Sequence, residues 1–397
     1  METLMPDDPA VRFQHYVVRG VQAARARIDD HSYAFPDTVR DRARHVLDLA
    51  LDLPAAWPAT RDLLLALAPK MELAGHRDGW LYELGRGVAC SEQWDDPLTG
   101  AELRLQMGLI HRLRGNFAAA RRALETAAAT FVELGVTHGQ ARAFNQLAYV
   151  AWSQNHIDEA ERHAGAALAL LPADDPERAM SLSALGLAAG ARERWATAET
   201  HHRAALAIRQ AQGDRRRMGW SLQNLAHALR GQQHYAAAID DFHQAIALLT
   251  ETGDVANCAI AQMDLGIAYG ENLQSHLALQ VYSLAEQSFR RLYDFYNLAK
   301  LRTCQGVDHL VLGNHGEATT ALLEGIALAE KFGHRGLYLN ALDGLGLVYL
   351  AKKEYAKALT IFEEVQSGME QIAGTPMYNY LQTILPTQLA QAKQARE

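Results

Sequence analysis

The sequence predicts an all-α protein: a right-handed α-solenoid of about eight helical hairpins with helical caps at both ends. Three observations carry this reading. A small-residue doublet recurs every 40 residues, with a single step of 38. Alanine supplies 69 of the 397 residues, which suits close-packed helices because alanine loses no side-chain entropy on joining one. None of the 11 prolines falls between Pro176 and Pro376. That stretch has room for about ten helices, whose interiors a proline would break.

The doublets run Leu67-Ala68, Met107-Gly108, Leu147-Ala148, Leu185-Gly186, Leu225-Ala226, Leu265-Gly266, Gln305-Gly306 and Leu345-Gly346. Thirteen residues after each first member stand Trp80, Ala120, Ala160, Ala198, Ala238, Ala278, Ala318 and Ala358. Four further on are Leu84, Leu124, Ala164, His202, Phe242, Tyr282, Leu322 and Phe362. Apolar positions such as Leu225 and Leu229, then Tyr235, Ala238, Phe242 and Ala245, follow a helical period on either side of a short break. Gly115-Asn116, Asn155-His156 and Gly313-Asn314 fill such breaks, and glycine and asparagine tolerate the left-handed backbone that ends a helix. The small doublet residue and the later alanine mark where paired helices cross most closely. An aromatic just after the turn (Phe117, Trp195, Tyr235 or Tyr355) packs over the hairpin end.

These residues resemble the tetratricopeptide repeat. Its signature is a Leu-Gly pair, a tyrosine three residues later, an alanine, an aromatic or leucine, and a second alanine. Leu265-Gly266, Tyr269, Ala278, Tyr282 and Ala285 match it almost fully, as do Leu345-Gly346, Tyr349, Ala358 and Phe362. The resemblance covers about residues 60–370. The unit is longer than the standard ~34 residues, and six extra residues add up to ~9 Å of helix in total. Long units of this kind are similar to those of kinesin light chains, Rap-type peptide-sensing proteins and the sensor halves of bacterial signal-transduction ATPases.

The expected organisation is an N-terminal helical cap or degenerate repeat over 1–60, eight units over 61–372, and a C-terminal capping helix over 373–397. Residues 10–28 and 37–52 read as two helices around a break at Pro36. The first unit, with Pro69 in its first helix and Trp80 in place of alanine, reads as irregular. The final helix reads as interrupted by Pro386. Capping segments shield the apolar ends that a repeat array would otherwise expose. The competing reading of 1–60 is an effector bundle, as the Rap resemblance implies.

Charge and composition narrow the function. With 38 basic and 46 acidic residues the net charge is −8, so no general attraction to nucleic-acid phosphates is expected. Cys90, Cys258 and Cys304 form no CxxC, which argues against a zinc ribbon or disulfide framework and fits a reducing cytoplasm. The acidic start, Met1 to Asp8, does not read as a signal peptide. No apolar run of membrane-spanning length occurs, so no membrane partner is expected. The sequence has no GxxxxGK[ST], HExxH or GxSxG motif and no GxGxxG in a strand–helix context, so the expected protein is not an enzyme and has no cofactor or metal. His201 and His202 point in different directions, and the pairs His227/His234 and His309/His315 straddle turns. Arg215-Arg216-Arg217 reads as a solvated inter-repeat turn.

Function then falls to the inner face of the array, lined by the first helix of each unit. Relative to the doublet leucine, the inward positions are five, two and one before, and two and five after. They select Arg142, Asn145, Gln146, Tyr149 and Trp152 in the third unit, and Trp220, Gln223, Asn224, His227 and Arg230 in the fifth. The sixth contributes Met263 and Asp264. The small apolar fourth unit reads as a pocket floor flanked by Trp152 and Trp220. Carboxamides can pair with a peptide backbone without reading its sequence, and Trp and Arg are frequent anchors. The plain alternative makes the tryptophans core residues and the amides merely solvated. Asn224 resembles the groove asparagine of the kinesin-light-chain and Rap-like proteins. Ser183, Leu187, Ile260 and Asp264 do not fit a chaperone-type carboxylate clamp. The expected function is a non-catalytic scaffold or adaptor for a protein or extended peptide. The alternative is a ligand- or signal-peptide-responsive regulator of bacterial signal transduction. The array ends offer a route to homo-oligomers.

Overall fold

The computed structural model describes residues 8–29, 36–74 and 77–395. The reading of the extreme N-terminus against a signal peptide falls largely on residues 1–7, outside the described ones. The chain divides into two compact units, 1–213 and 214–397. In the first lie α1 (Pro9–Asp29), α2 (Asp37–Ala50), α3 (Trp57–Ala74), α4 (Arg77–Gln93), α5 (Pro97–Leu113), α6 (Phe117–Glu133), α7 (Thr137–Ser153), α8 (Ile157–Leu170), α9 (Arg178–Ala191) and α10 (Trp195–Gln212). In the second lie α11 (Arg215–Gly231), α12 (Tyr235–Glu251), α13 (Val255–Glu271), α14 (Ser275–Leu292), α15 (Phe295–Val311), α16 (His315–Lys331), α17 (Arg335–Ala351), α18 (Tyr355–Gly368) and α19 (Pro376–Gln394). The described residues contain no strand. Each doublet sits in a first helix, from α3 to α17, and each later alanine position in the helix that follows. Within each unit a first helix packs on its own second helix and beside the next first helix, as α5 does on α6 and α7.

Contact distance explains the doublet. A β-carbon built on Gly108, Gly186, Gly266, Gly306 or Gly346 would lie well inside van der Waals contact of Leu124, His202, Tyr282, Leu322 or Phe362 respectively. All five partners are almost fully buried, and Leu124, Leu322 and Phe362 are each worth about 1.5–3 kcal/mol of burial. His202 is thus a core residue filling the place of a leucine or aromatic. Where the doublet carries Ala148, the facing position is Ala164, and both join Ala184 in one buried cluster. The core between α7 and α9 is accordingly lined by alanines.

The helix ends repeat as well. Asp96, Asp214, Asp254 and Asp294 accept hydrogen bonds from the backbone N–H groups of Thr99, Arg217, Asn257 and Asn297, satisfying donors that a helix start leaves open. Every first-to-second turn from α5 to α18 uses one left-handed residue, at 115, 155, 193, 233, 273, 313 and 353. Glycine or asparagine occupies three of these positions, while Glu193, Gln233, Leu273 and Lys353 adopt the same backbone. The turn geometry, set by hairpin packing, overrides local preference at about 1–2 kcal/mol per residue.

One of the two expectations about proline changes. The first pair is helical through its described residues: α3 runs through Pro69, and Trp80 is fully buried in the core formed by α1 to α5. The connection at 75–76 lies outside the described residues. The last helix continues through Pro386 rather than breaking. Pro386 and Gln382 are both exposed, so the carbonyl that loses its helical N–H partner is open to water.

Thermal or urea unfolding checks this packing. Gly266→Ala is expected to lose about 1–3 kcal/mol by overpacking against Tyr282. Gly165→Ala in α8, where a β-carbon meets nothing within 4 Å, should gain up to about 1 kcal/mol. Leu273→Gly, at a side chain 88% exposed with φ of 60°, should gain about 1 kcal/mol by relieving the left-handed cost.

Candidate functional site

Of the twelve residues selected from the sequence, eight are at least partly exposed on the first helices and four lie beneath that face. The position two before the doublet is the systematic exception. Asn145, Ser183, Gln223, Met263, Thr303 and Asp343 all occupy it, and none is more than 9% exposed. It points into the seam between successive first helices rather than outward. Asn145 is fully buried, donating to Glu177 Oε1 at 2.8 Å and accepting from Ser181 Oγ at 2.8 Å. Met263 is fully buried in the α13–α15 core. Asp264, one position later, is 2% exposed. These residues, with Gln223, correct the expectation that they touch a partner: the seam between first helices consumes them.

In the first unit the remaining residues form a stripe on α7. Arg142 Nη1 holds both carboxylate oxygens of Glu102 on α5, at 2.8 and 2.9 Å. Tyr149 is half-buried beneath Arg112, whose guanidinium lies 5.3 Å from the ring centre, and burial pushes its phenol pKa up. Trp152 is 37% exposed. Gln146 turns its Oε1 inward with no hydrogen-bond partner.

In the second unit the stripe runs along α11. The Trp220 indole N–H donates to Asp254 Oδ2 at 3.0 Å. Arg216 Nε donates to the same oxygen at 2.8 Å, and its guanidinium lies 4.5 Å from the Trp220 ring centre. Arg216 is therefore no solvated turn residue; a carboxylate and an indole hold it in the first turn of α11. Arg215 and Arg217 pair with Glu251 and Asp214. Asn224 is half-exposed, and its carboxamide makes no hydrogen bond among the described residues. Arg230 pairs with Glu271 at 2.8 Å.

Under this stripe Asp264 gathers three groups from neighbouring helices. Gln223 Nε2 lies at 3.1 Å and His227 Nε2 at 2.9 Å from Oδ2, while Lys300 Nζ is 3.9 Å from Oδ1. Burial alone would raise the Asp264 pKa, but the His227 ring, Lys300 and the Gln223 bond hold it well below the usual carboxylate range. His227 also meets Phe242 edge-on at 5.4 Å. On α15, burial pushes the Cys304 thiol up to about 11, so it stays protonated at neutral pH. No group of three or more His, Cys, Asp or Glu among the described residues is arranged to hold a metal. None of their helices is long and apolar enough to cross a membrane.

Sequence reasoning missed Glu102, Asp254 and Arg216. The signal for Asp254 was present, since it shares a 40-residue register with Asp214 and Asp294. That register marks a helix cap and does not disclose a second role as the acceptor for Trp220.

Asp264→Asn is expected to lower stability at neutral pH by about 2 kcal/mol, because a buried partner of His227 loses its charge. A carboxyl whose folded-state pKa is depressed contributes stability above its unfolded pKa and loses it as pH falls. The gap between wild type and variant should therefore narrow below about pH 4, as urea unfolding across acidic pH would show.

The tetratricopeptide repeat family profile matches residues 101–173 and 177–251. No curated protein sequence matches the chain. Among solved structures, a Rap protein complexed with Competence and Sporulation Factor is 15% identical, with a TM-score of 0.64 over 91% of this chain and 98% of that one. NprR in complex with its cognate peptide NprX is 15% identical, with a TM-score of 0.54 over 71% and 81%. A signal-transduction ATPase with a tetratricopeptide repeat sensor, from Pyrococcus horikoshii, is 15% identical with a TM-score of 0.58; the match covers 89% of this chain and 56% of that protein. Repeat register, consecutive helical packing and these likenesses agree on the fold: the chain is an all-α array of helical hairpins, similar in fold to Rap proteins, with residues 101–173 and 177–251 matching the tetratricopeptide repeat.

Proposed function

We propose that this chain is a non-catalytic scaffold or adaptor that holds an extended peptide, or a segment of a partner protein, against the first-helix face of its hairpins. α11 is the principal contact. The observation that carries this reading is the pairing on one helix face of a fixed anchor with an unspent carboxamide. Trp220 is held by Asp254 and Arg216, so little ordering entropy remains to be lost on binding. Asn224, one turn on, has both a donor and an acceptor free for a peptide backbone. His227 and Arg230 continue the stripe. In the other unit Gln146 stands at the position corresponding to Asn224, flanked on α7 by Arg142, Tyr149 and Trp152.

Support also comes from the complexes of Rap and NprR, each crystallised with a peptide or signalling factor. The same likenesses, together with that to the repeat sensor of the ATPase, favour a second reading as a signal-responsive regulator. The cytoplasm is the compartment that suits three unpaired cysteines.

Affinity capture from cell extract tests the first reading. A Trp220→Ala/Asn224→Ala double variant, shown by circular dichroism to be folded, should lose a partner that wild type retains, with affinity lowered on the order of a hundredfold. Equal capture by both would move the partner to another surface. A change in radius of gyration on adding that partner's binding segment would favour the regulator reading over a static scaffold.

A further inference from the structure

The C-terminal helix α19 lays a stripe of Leu381, Leu385, Leu389 and Ala392 onto the last hairpin, where Leu339, Leu342, Phe362 and Val365 share the same core. One polar residue interrupts the stripe. Gln388, 8% exposed, directs its Nε2 to Oδ2 of Asp343 on α17 at 3.4 Å, and Asp343 is itself 3% exposed. Each residue keeps a second oxygen in the interior without a hydrogen-bond partner: Oδ1 of Asp343 and Oε1 of Gln388. A carboxylate offers only acceptors, so rotating the carboxamide satisfies one orphan oxygen at the expense of the other contact. One proton removes the conflict. A carboxylic acid and a carboxamide close a ring of two hydrogen bonds, the acid O–H donating to the amide oxygen and the amide N–H to the acid carbonyl.

We propose that Asp343 and Gln388 form a proton-operated latch: α19 docks on the last hairpin with a proton shared across this pair, and its hold weakens when the proton leaves. Among the described residues nothing charged competes for Asp343. On the elements packed against α17, Asp308 of α15 accepts from Ser275, and Glu324 of α16 is held by Arg290 and Arg302. Glu354, just before α18, is bound by Lys352 and Lys357, and Glu364 of α18 accepts from the Tyr338 hydroxyl. Glu370, after α18, and Lys393 on α19 are exposed. Tyr380 of α19 senses the Asp343 carboxylate, its phenol pKa pushed up by burial and then by that charge. Arg335 of α17 stacks on Tyr338. Burial accordingly raises the Asp343 carboxyl to about 6, opposed only by the Gln388 bond. A carboxyl raised in this way favours the docked state fully below its unfolded pKa, and that advantage is lost as pH rises through about 6. The displacement corresponds to a docking equilibrium changing on the order of a hundredfold.

Hydrogen exchange read by mass spectrometry on the full chain tests this. After correction for intrinsic rates, protection of residues 376–394 relative to α11 should fall on the order of tenfold between about pH 5 and about pH 8, the rest of the loss lying below about pH 5. Asp343→Asn, whose amide supplies the missing donor permanently, should hold protection at its acidic level across that range. Gln388→Met should cost more protection at about pH 5 than at about pH 8, because it removes two hydrogen bonds in acid and one in base. A wild-type profile flat with pH overturns the latch. So does an Asp343→Asn profile that follows wild type, or equal losses in Gln388→Met at both pH values.

Discussion

The distance of closest approach between the two helices of each hairpin governs the rest of this fold. Five of the eight doublets carry glycine because the side chain seventeen residues after the doublet leucine lies where a β-carbon would be. Large partners such as Tyr282 and Phe362 can therefore reach across the hairpin and be buried. Protein interiors tolerate little change in volume, so in these five hairpins the pair behaves as a matched unit. Where Ala148 widens the first helix, Ala164 narrows the second. Within each compact unit that match recurs at an interval of about 40 residues and places the polar residues of the first helices in register.

A second constraint acts between successive first helices. Their seam is polar as well as apolar: Asn145 meets Glu177 and Ser181, and Gln223 meets Asp264. Buried polar groups are costly unless paired, and most of these are paired. The seam thereby withdraws one position in each of these first helices from the exposed face and leaves a narrower stripe for recognition. It also prepares that stripe. Asp254 caps α13 and at the same time holds Trp220 and Arg216 of α11, so one carboxylate couples helix termination to the orientation of the proposed anchor.

Two buried acidic residues of the first helices, Asp264 and Asp343, show how context divides like side chains. Asp264 is charged because His227, Lys300 and Gln223 converge on it from α11 and α15. Asp343 meets one carboxamide and no cation, so burial works against its charge. Charge follows the neighbours each carboxylate meets, and only in the second case is a proton the missing partner.

The sequence by itself determined the repeat: the doublets, the later alanines and the proline-free stretch all express helix–helix spacing, a local property that recurs identically in each unit. It also placed Trp220, Asn224, His227 and Arg230 on one helix face, because a 3.6-residue period needs no neighbours to be counted. Tertiary structure decided which of the polar residues remain outside. The fate of Asn145, Gln223, Met263 and Asp264 depends on how near the next first helix comes, about 40 residues away along the chain, and their spacing carries no record of that distance. The tie between Arg216, Trp220 and Asp254 and the meeting of Asp343 with Gln388 were hidden for the same reason. Each joins residues whose chemistry is ordinary until folding brings them within hydrogen-bond reach.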